Sequence, residues 1–161
     1  MQIEMSIKGL MVDPITSAPI VLLRDEAGTR MLPIWIGVFE ANAIALQVEN
    51  VAPPRPMTHD LLKQVIGDLR GHVERVVVTD LREGTFYAMI HLRVDEHLVL
   101  VDSRPSDAIA LALRAKAPIF VEEAVLEQAK TTESGSERPD ADKLQQWLES
   151  LDPDDLGKYK M

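Results

Sequence analysis

Three short stretches set carboxylates, arginines and a histidine beside proline or glycine, each just where an apolar-periodic segment begins. They are GVFEAN (Gly37 to Asn42), RPMTHD (Arg55 to Asp60) and DSRPSD (Asp102 to Asp107). Each reads as the opening of a helix, where unbonded backbone N–H groups and a partial positive charge favour an anion, phosphate being the obvious one. Arg55 and Arg104 could clamp such a group through two parallel hydrogen bonds. The carboxylates of Glu40, Asp60, Asp102 and Asp107 could hold a hard divalent cation such as Mg²⁺ or Mn²⁺, with Asp60, Asp102 and Asp107 the candidate ligands. His59, as an imidazole, is the natural proton shuttle beside them.

Each residue also has a plainer role. Thr58, Ser103 or Ser106 can serve only as a helix cap, and Asp60 and Asp107 can stabilise a first turn by roughly 0.3 to 1 kcal/mol without doing chemistry. Glu40 can be a solvated helix residue, His59 a structural one, and the Arg-Pro pairs ion-pair anchors. Two Arg-Pro turns, each followed within four residues by Ser or Thr and an Asp, are harder to attribute to capping alone. His91 falls on the Tyr87, Met89 and Arg93 face of its strand, opposite the apolar one, and reads as exposed or groove-lining; His72 and His97 fall in turns. Tyr87 and Arg93 could stack on and neutralise a nucleic-acid strand, though a solvated sheet face is the simpler reading.

Much common chemistry is excluded. No glycine-rich phosphate loop, GxSxG elbow or HExxH pair occurs, and with no cysteine there is no disulfide, zinc-thiolate site or thiol nucleophile. No organic cofactor is expected. The formal charge of −9 argues against bulk attraction to nucleic acid, leaving room for a local basic groove. With 17 Lys+Arg and 26 Asp+Glu overall, the counts are 13 against 18 through residue 130 and 4 against 8 beyond it, which marks an acidic tail. No run of about eighteen apolar residues and no signal peptide is present, so a cytoplasmic protein without a membrane span is expected.

The elements that must position these residues begin with residues 2–8, whose alternation predicts a half-buried strand. Strands follow at Ile20 to Leu23 and Thr29 to Ile36 around an Asp25–Gly28 turn. The alanine-rich segment Val38 to Asn50 predicts a helix. VAPPRPM, with three prolines in seven residues, makes a stiff connector. A second helix is expected from an N-cap at Thr58, through Leu61, Leu62, Val65, Ile66 and Leu69, to a stop at Gly71. Val73 to Leu81 and Phe86 to Val94 predict a hairpin about Arg82–Thr85, followed by a strand His97 to Val101. Pro105, near the first helical position, then opens a third helix that ends at Arg114 and Lys116. A short strand, Pro118 to Val121, and a brief helix, Glu122 to Lys130, complete the ordered part. TTESGSERPDAD (131–142) reads as a flexible linker and Lys143 to Leu151 as a short amphipathic helix, its Trp147 either docked or frayed. The fold class is α+β: a single domain with a predominantly antiparallel or mixed sheet packed with helices, plus an acidic C-terminal tail.

LPIWIGVFEANAIAL (Leu32 to Leu46), RPMTHDLL (Arg55 to Leu62), GTFYAMIHL (Gly84 to Leu92) and DSRPSDAIALALRAKAPIFVEEAVL (Asp102 to Leu126) resemble the bifunctional nuclease domain family of bacteria and plants. The likeness runs over residues 3–130, so the expected organisation is a bifunctional-nuclease-like domain at 1–130 with an acidic linker and short helix at 131–161. The tail departs from the plant pattern, which carries an additional domain. The resemblance implies nuclease activity on DNA and RNA. It also picks out Glu40, Arg55, Thr58, His59, Asp60, Asp102, Arg104, Ser106 and Asp107 as matching the family's polar core. The expectation is a nuclease that hydrolyses phosphodiester bonds: His59, Asp60, Asp102, Asp107 and Glu40 catalytic, and Arg55, Thr58, Arg104 and Ser106 holding substrate. The rivals are a non-catalytic, oligomeric regulatory or small-anion-binding domain and a purely structural protein whose polar turns lock the fold. The net charge favours these two. Apolar helix faces and edge strands point to a homo-oligomer.

Overall fold

A computed structural model describes residues 1–135. Strands β1 (Gln2–Val12), β2 (Pro19–Asp25) and β3 (Met31–Trp35) form an antiparallel meander, followed by helices α1 (Val38–Val48) and α2 (Thr58–Asp68). A second meander of β4 (Gly71–Arg82), β5 (Thr85–Val94) and β6 (His97–Ser103) leads into α3 (Pro105–Ala115), β7 (Ile119–Glu122) and α4 (Glu123–Gly135). The chain after β6 crosses through α3 and inserts β7 between the two meanders. One seven-stranded sheet results, in the order β3-β2-β1-β7-β4-β5-β6. Every pair is antiparallel except β4 with β7. The fold is α+β with a mixed, mostly antiparallel sheet.

Local chemistry accounts for the turns. Glu83 and Gly84 both have positive φ, 50° and 78°, as a two-residue hairpin loop requires where strand twist must be matched. Pro105 stands first in α3, where no intrahelical N–H is needed, and Lys116 closes the helix in the left-handed conformation. Ile20, Val21, Leu22 and Leu23 are all fully buried, which explains why β2 reads as an unbroken apolar run.

Several boundaries differ from those read in the sequence. β1 continues to Val12 because its register shifts between Ile7 and Gly9, returning Leu10 to the core after the alternation has broken. Thr58 is the first residue of α2, not its cap. The flanking residue is Met57, whose amide donates to Asp60 Oδ2 at 2.9 Å. Gly71 does not end that helix: Arg70 takes the left-handed position with φ 65°, and Gly71 begins β4. α4 is described as far as Gly135, five residues into the stretch read as linker. The expected helix at 143–151, Trp147 included, lies outside the described residues.

Helix α3 organises the rest. Its Ala108, Ile109, Ala110, Leu111 and Ala112 are all at most 1% exposed, the all-round burial of a central helix. It packs on β4 and β5, where Val76, Val78, Ala88 and Ile90 share one face, and it touches α1 on one side and α2 on the other. The small alanines let three helices approach closely, and this brings their N-terminal ends together.

Candidate active site

The site is built from the first turns of those helices. α1 starts after Gly37 and carries Glu40 in its first turn. A Cβ at position 37 would collide with Glu40 Oε2, so glycine leaves the carboxylate its place. α3 is preceded by Arg104, whose side chain turns back over its own helix. Arg104 Nε and Nη2 each lie 3.0 Å from Asp107 Oδ2, and Nη2 also lies 2.9 Å from Glu40 Oε1. The other oxygen of Asp107 stands 2.9 Å from Nε2 of His59, on α2. Glu40, Arg104, Asp107 and His59 thus form one continuous polar chain across three helices.

An ionised carboxylate only accepts hydrogen bonds, so Asp107 fixes the His59 proton on Nε2 and leaves Nδ1 as the basic nitrogen. His59 is buried, 8% exposed, whereas the Arg104 side chain is 66% exposed. The paired acids, Asp107 first and then Glu40, push the Arg104 pKa further above its already high value. Beside this chain opens a pocket of about 290 Å³, lined by Trp35, Gly37, Phe86, Arg104, Pro105 and Ser106. Trp35 is held there by its indole N–H, which donates to Asp13 Oδ2 at 2.8 Å.

A second polar unit starts at the very next residue of α2. Asp60 accepts from Arg114 Nε at 2.7 Å, while the two terminal nitrogens of Arg114 donate to Ala110 O at 2.8 Å and Ala43 O at 2.9 Å. Burial works to raise the Asp60 pKa, but the Met57 amide and the Arg114 guanidinium outweigh it and hold the carboxyl below its usual range. One guanidinium therefore ties all three helices together.

Of the residues singled out in the sequence, Glu40, His59, Asp60, Arg104 and Asp107 come together, and Ser106 is buried in the pocket wall. Thr58 is exposed on the first turn of α2 and caps nothing. Arg55 is exposed in the connector and forms no ion pair with a described residue. Asp102 is displaced to the other side. It pairs with Met89, whose neighbours Ala88 and Ile90 face α3, so alternation turns Asp102 to the opposite face of the sheet. The ligand set Asp60, Asp102 and Asp107 is therefore not assembled. Among the described residues no three His, Asp or Glu side chains form a metal-binding group, and the charge of Glu40, Asp107 and Asp60 is already met by Arg104 and Arg114. These residues do not fit a divalent cation as they stand.

Arg114 was readable only as a basic residue near a helix end. The missed signal is its spacing: it follows Asp107 by seven residues, two turns along one face of a helix otherwise rich in Ala, Leu and Ile. His91, expected to be exposed or groove-lining, is half-buried, and its Nδ1 has no hydrogen-bond partner among the described residues. Burial, with a contribution from Arg75, lowers its pKa.

No helix among the described residues is long and apolar enough to cross a membrane. The model of the bifunctional nuclease domain matches residues 21–134. An uncharacterized protein of Mycobacterium tuberculosis is 44% identical over 162 residues, covering 95% of this chain and 97% of its own length. Bifunctional nuclease 1 of Oryza sativa subsp. japonica is 29% identical over 111 residues, 65% of this chain and 34% of the rice protein. Bifunctional nuclease 1 of Arabidopsis thaliana is 31% identical over 107 residues, 64% of this chain and 33% of its own. The chain spans about a third of the length of these plant relatives. On a match that takes in β2 through α4 and every residue of the polar chain, this protein belongs to the bifunctional nuclease domain family.

Proposed function

We propose that this chain hydrolyses phosphodiester bonds of nucleic acid, DNA and RNA alike, at the Glu40–Arg104–Asp107–His59 chain. The observation that carries the reading is a carboxylate-oriented histidine joined through Asp107 to an exposed guanidinium at the mouth of a pocket. In this reading Arg104 swings from Glu40 to a non-bridging phosphate oxygen, trading one anion for another. His59 takes a proton from the attacking water at Nδ1 and Asp107 stabilises the imidazolium so formed, while the P–O bond to the departing sugar oxygen breaks and that oxygen takes a proton from solvent. Ser106 and the free amides of α1 and α3 bound the phosphate, and Arg55, on the connector before α2, supplies a further cation to the flanking strand. The plant relatives' names support the substrate class.

The test is cleavage of end-labelled single- and double-stranded DNA and RNA by the full chain, with and without Mg²⁺ or Mn²⁺. Cleavage is expected to fall by about 10²-fold or more in His59→Ala, the scale of a lost general base. It should fall comparably in Asp107→Asn and persist in Asp102→Ala. Absence of cleavage under all these conditions, or full activity in His59→Ala, refutes the assignment.

One observation favours the rival reading of a small-anion-binding regulatory domain. The two polar units hold three carboxylates, Glu40, Asp60 and Asp107, against two guanidiniums, a formal −1 when His59 is neutral. A net negative cluster repels a polyanion more strongly than a single small anion. That reading predicts thermal stabilisation by inorganic phosphate or a mononucleotide without turnover.

A further inference from the structure

The two edges of the sheet are built differently. β3 is five residues long, contains Pro33 and is mostly buried, which is how an edge is normally protected. β6 has seven residues with neither proline nor lysine, and Leu98, Val99, Leu100 and Val101 are 46, 41, 53 and 38% exposed. Its inner side pairs with β5, and no described strand pairs with its outer side. Unpaired N–H and C=O groups flanked by apolar side chains are a template for another strand. Helix α2, which packs on α3 and β4, buries only His59 and leaves Leu61, Val65 and Leu69 exposed.

We propose that β6 docks a second copy of this chain, the two strands running antiparallel about a twofold axis at Val99 and continuing the sheet from one protomer into the next. The strand's own sequence selects this occupant and this register. With the axis at Val99, Leu98 stands opposite the partner's Leu100 and Leu100 opposite the partner's Leu98. Val99 meets itself and Val101 meets the partner's His97. Residues directly opposite lie on the same face, so the two Leu98–Leu100 pairs meet on one face and Val99 meets Val99 on the other. Moving the axis one residue to Leu100 keeps Leu100 against itself and Val99 against Val101, but it sets the carboxylate of Asp102 against Leu98 at both ends of the pairing. The self-match is of the isologous kind that a twofold dimer requires.

The absence of cysteine from the sequence makes the register directly measurable. Residues facing each other across an antiparallel pair have Cα atoms about 4.5 to 5.5 Å apart, within the range a disulfide spans. The full chain is expected to sediment as a dimer at micromolar concentration. Val99→Cys should convert to covalent dimer under mild oxidation, while Val48→Cys, at an exposed position on α1, should not. Leu100→Lys, on the sheet face away from α3, should sediment as a monomer with the far-UV spectrum of the parent. A monomeric parent chain overturns the proposal, and dimerisation on removal of residues 136–161 would then assign the edge to the chain's own tail. A dimer that Leu100→Lys leaves intact, or equal cross-linking at positions 48 and 99, overturns it as well.

Discussion

Replacing Arg114 by methionine should cost this fold about 3 kcal/mol. The side chain is 3% exposed and makes three hydrogen bonds, one to a carboxylate on α2, one to a carbonyl of α1 and one within α3. Methionine fills much of the same volume, so the cavity contribution is small. What remains is the loss of one partner from a buried ion pair, for which roughly 3 to 5 kcal/mol is the usual range. Asp60 is 25% exposed and keeps the Met57 amide, so the lower end applies. At about 2 to 4 °C per kcal/mol for a chain of this size, Tm should fall by about 6 to 12 °C. Urea unfolding at pH 7 followed by circular dichroism measures the loss directly. The Asp60→Asn, Arg114→Met double variant should be more stable than the sum of the single losses predicts, by about 1 to 3 kcal/mol, because the stranded charge is gone. A loss below about 1 kcal/mol in Arg114→Met, the value of a surface pair, refutes the reasoning.

Stability should also carry the signature of Asp60 in acid. Its folded pKa lies below the unfolded value of 3.8, so its contribution is complete above that value and is lost as pH falls through the folded pKa. Urea titrations from pH 7 to acid should show the gap between the parent and Asp60→Asn closing only below about pH 4; a gap that closes nearer neutrality contradicts this. Asp13, 4% exposed, accepts from the Trp35 indole and the Ile15 amide, both at 2.8 Å. Asp13→Ala should therefore cost about 2 kcal/mol in the same unfolding measurement, with Asp13→Asn, whose amide oxygen still accepts, costing less.

The helix openings could be read from the sequence because their signals are local: Pro105 at a first helical position, acids in first turns, and alanines where three helices crowd. The β4–β5 hairpin was equally plain from alternation about Glu83-Gly84. What sequence adjacency misplaced was Asp102. It shares the stretch DSRPSD with Arg104, yet β6 extends through Ser103, and a residue still in the strand obeys its two-residue alternation. Asp102 and Arg104 therefore part company within three residues. Register shifts in β1 and β4 hid other boundaries, because each inserts a residue that breaks the alternation from which a strand is recognised. Convergence of Glu40, His59 and Asp107 depends on helix packing across long sequence separations, and no periodicity encodes that.

Two arginines ten residues apart, one just before α3 and one in its last turn, divide structural support from the proposed chemistry. Arg114 lies in the last turn of α3 with its donors committed to backbone carbonyls and one carboxylate, so its removal is felt in unfolding. Arg104 stands at the other end, 66% exposed and sharing two acids, where solvent screens the pairs and truncation should cost less than about 1 kcal/mol. An arginine held this loosely by two carboxylates can exchange one of them for an incoming phosphate at little energetic cost. Because Asp107 touches both Arg104 and His59, that exchange would reach the imidazole through a single side chain. An Arg104→Ala variant that stays folded while losing cleavage is the behaviour this division of labour demands; one that unfolds like Arg114→Met would make the whole chain of polar contacts a scaffold.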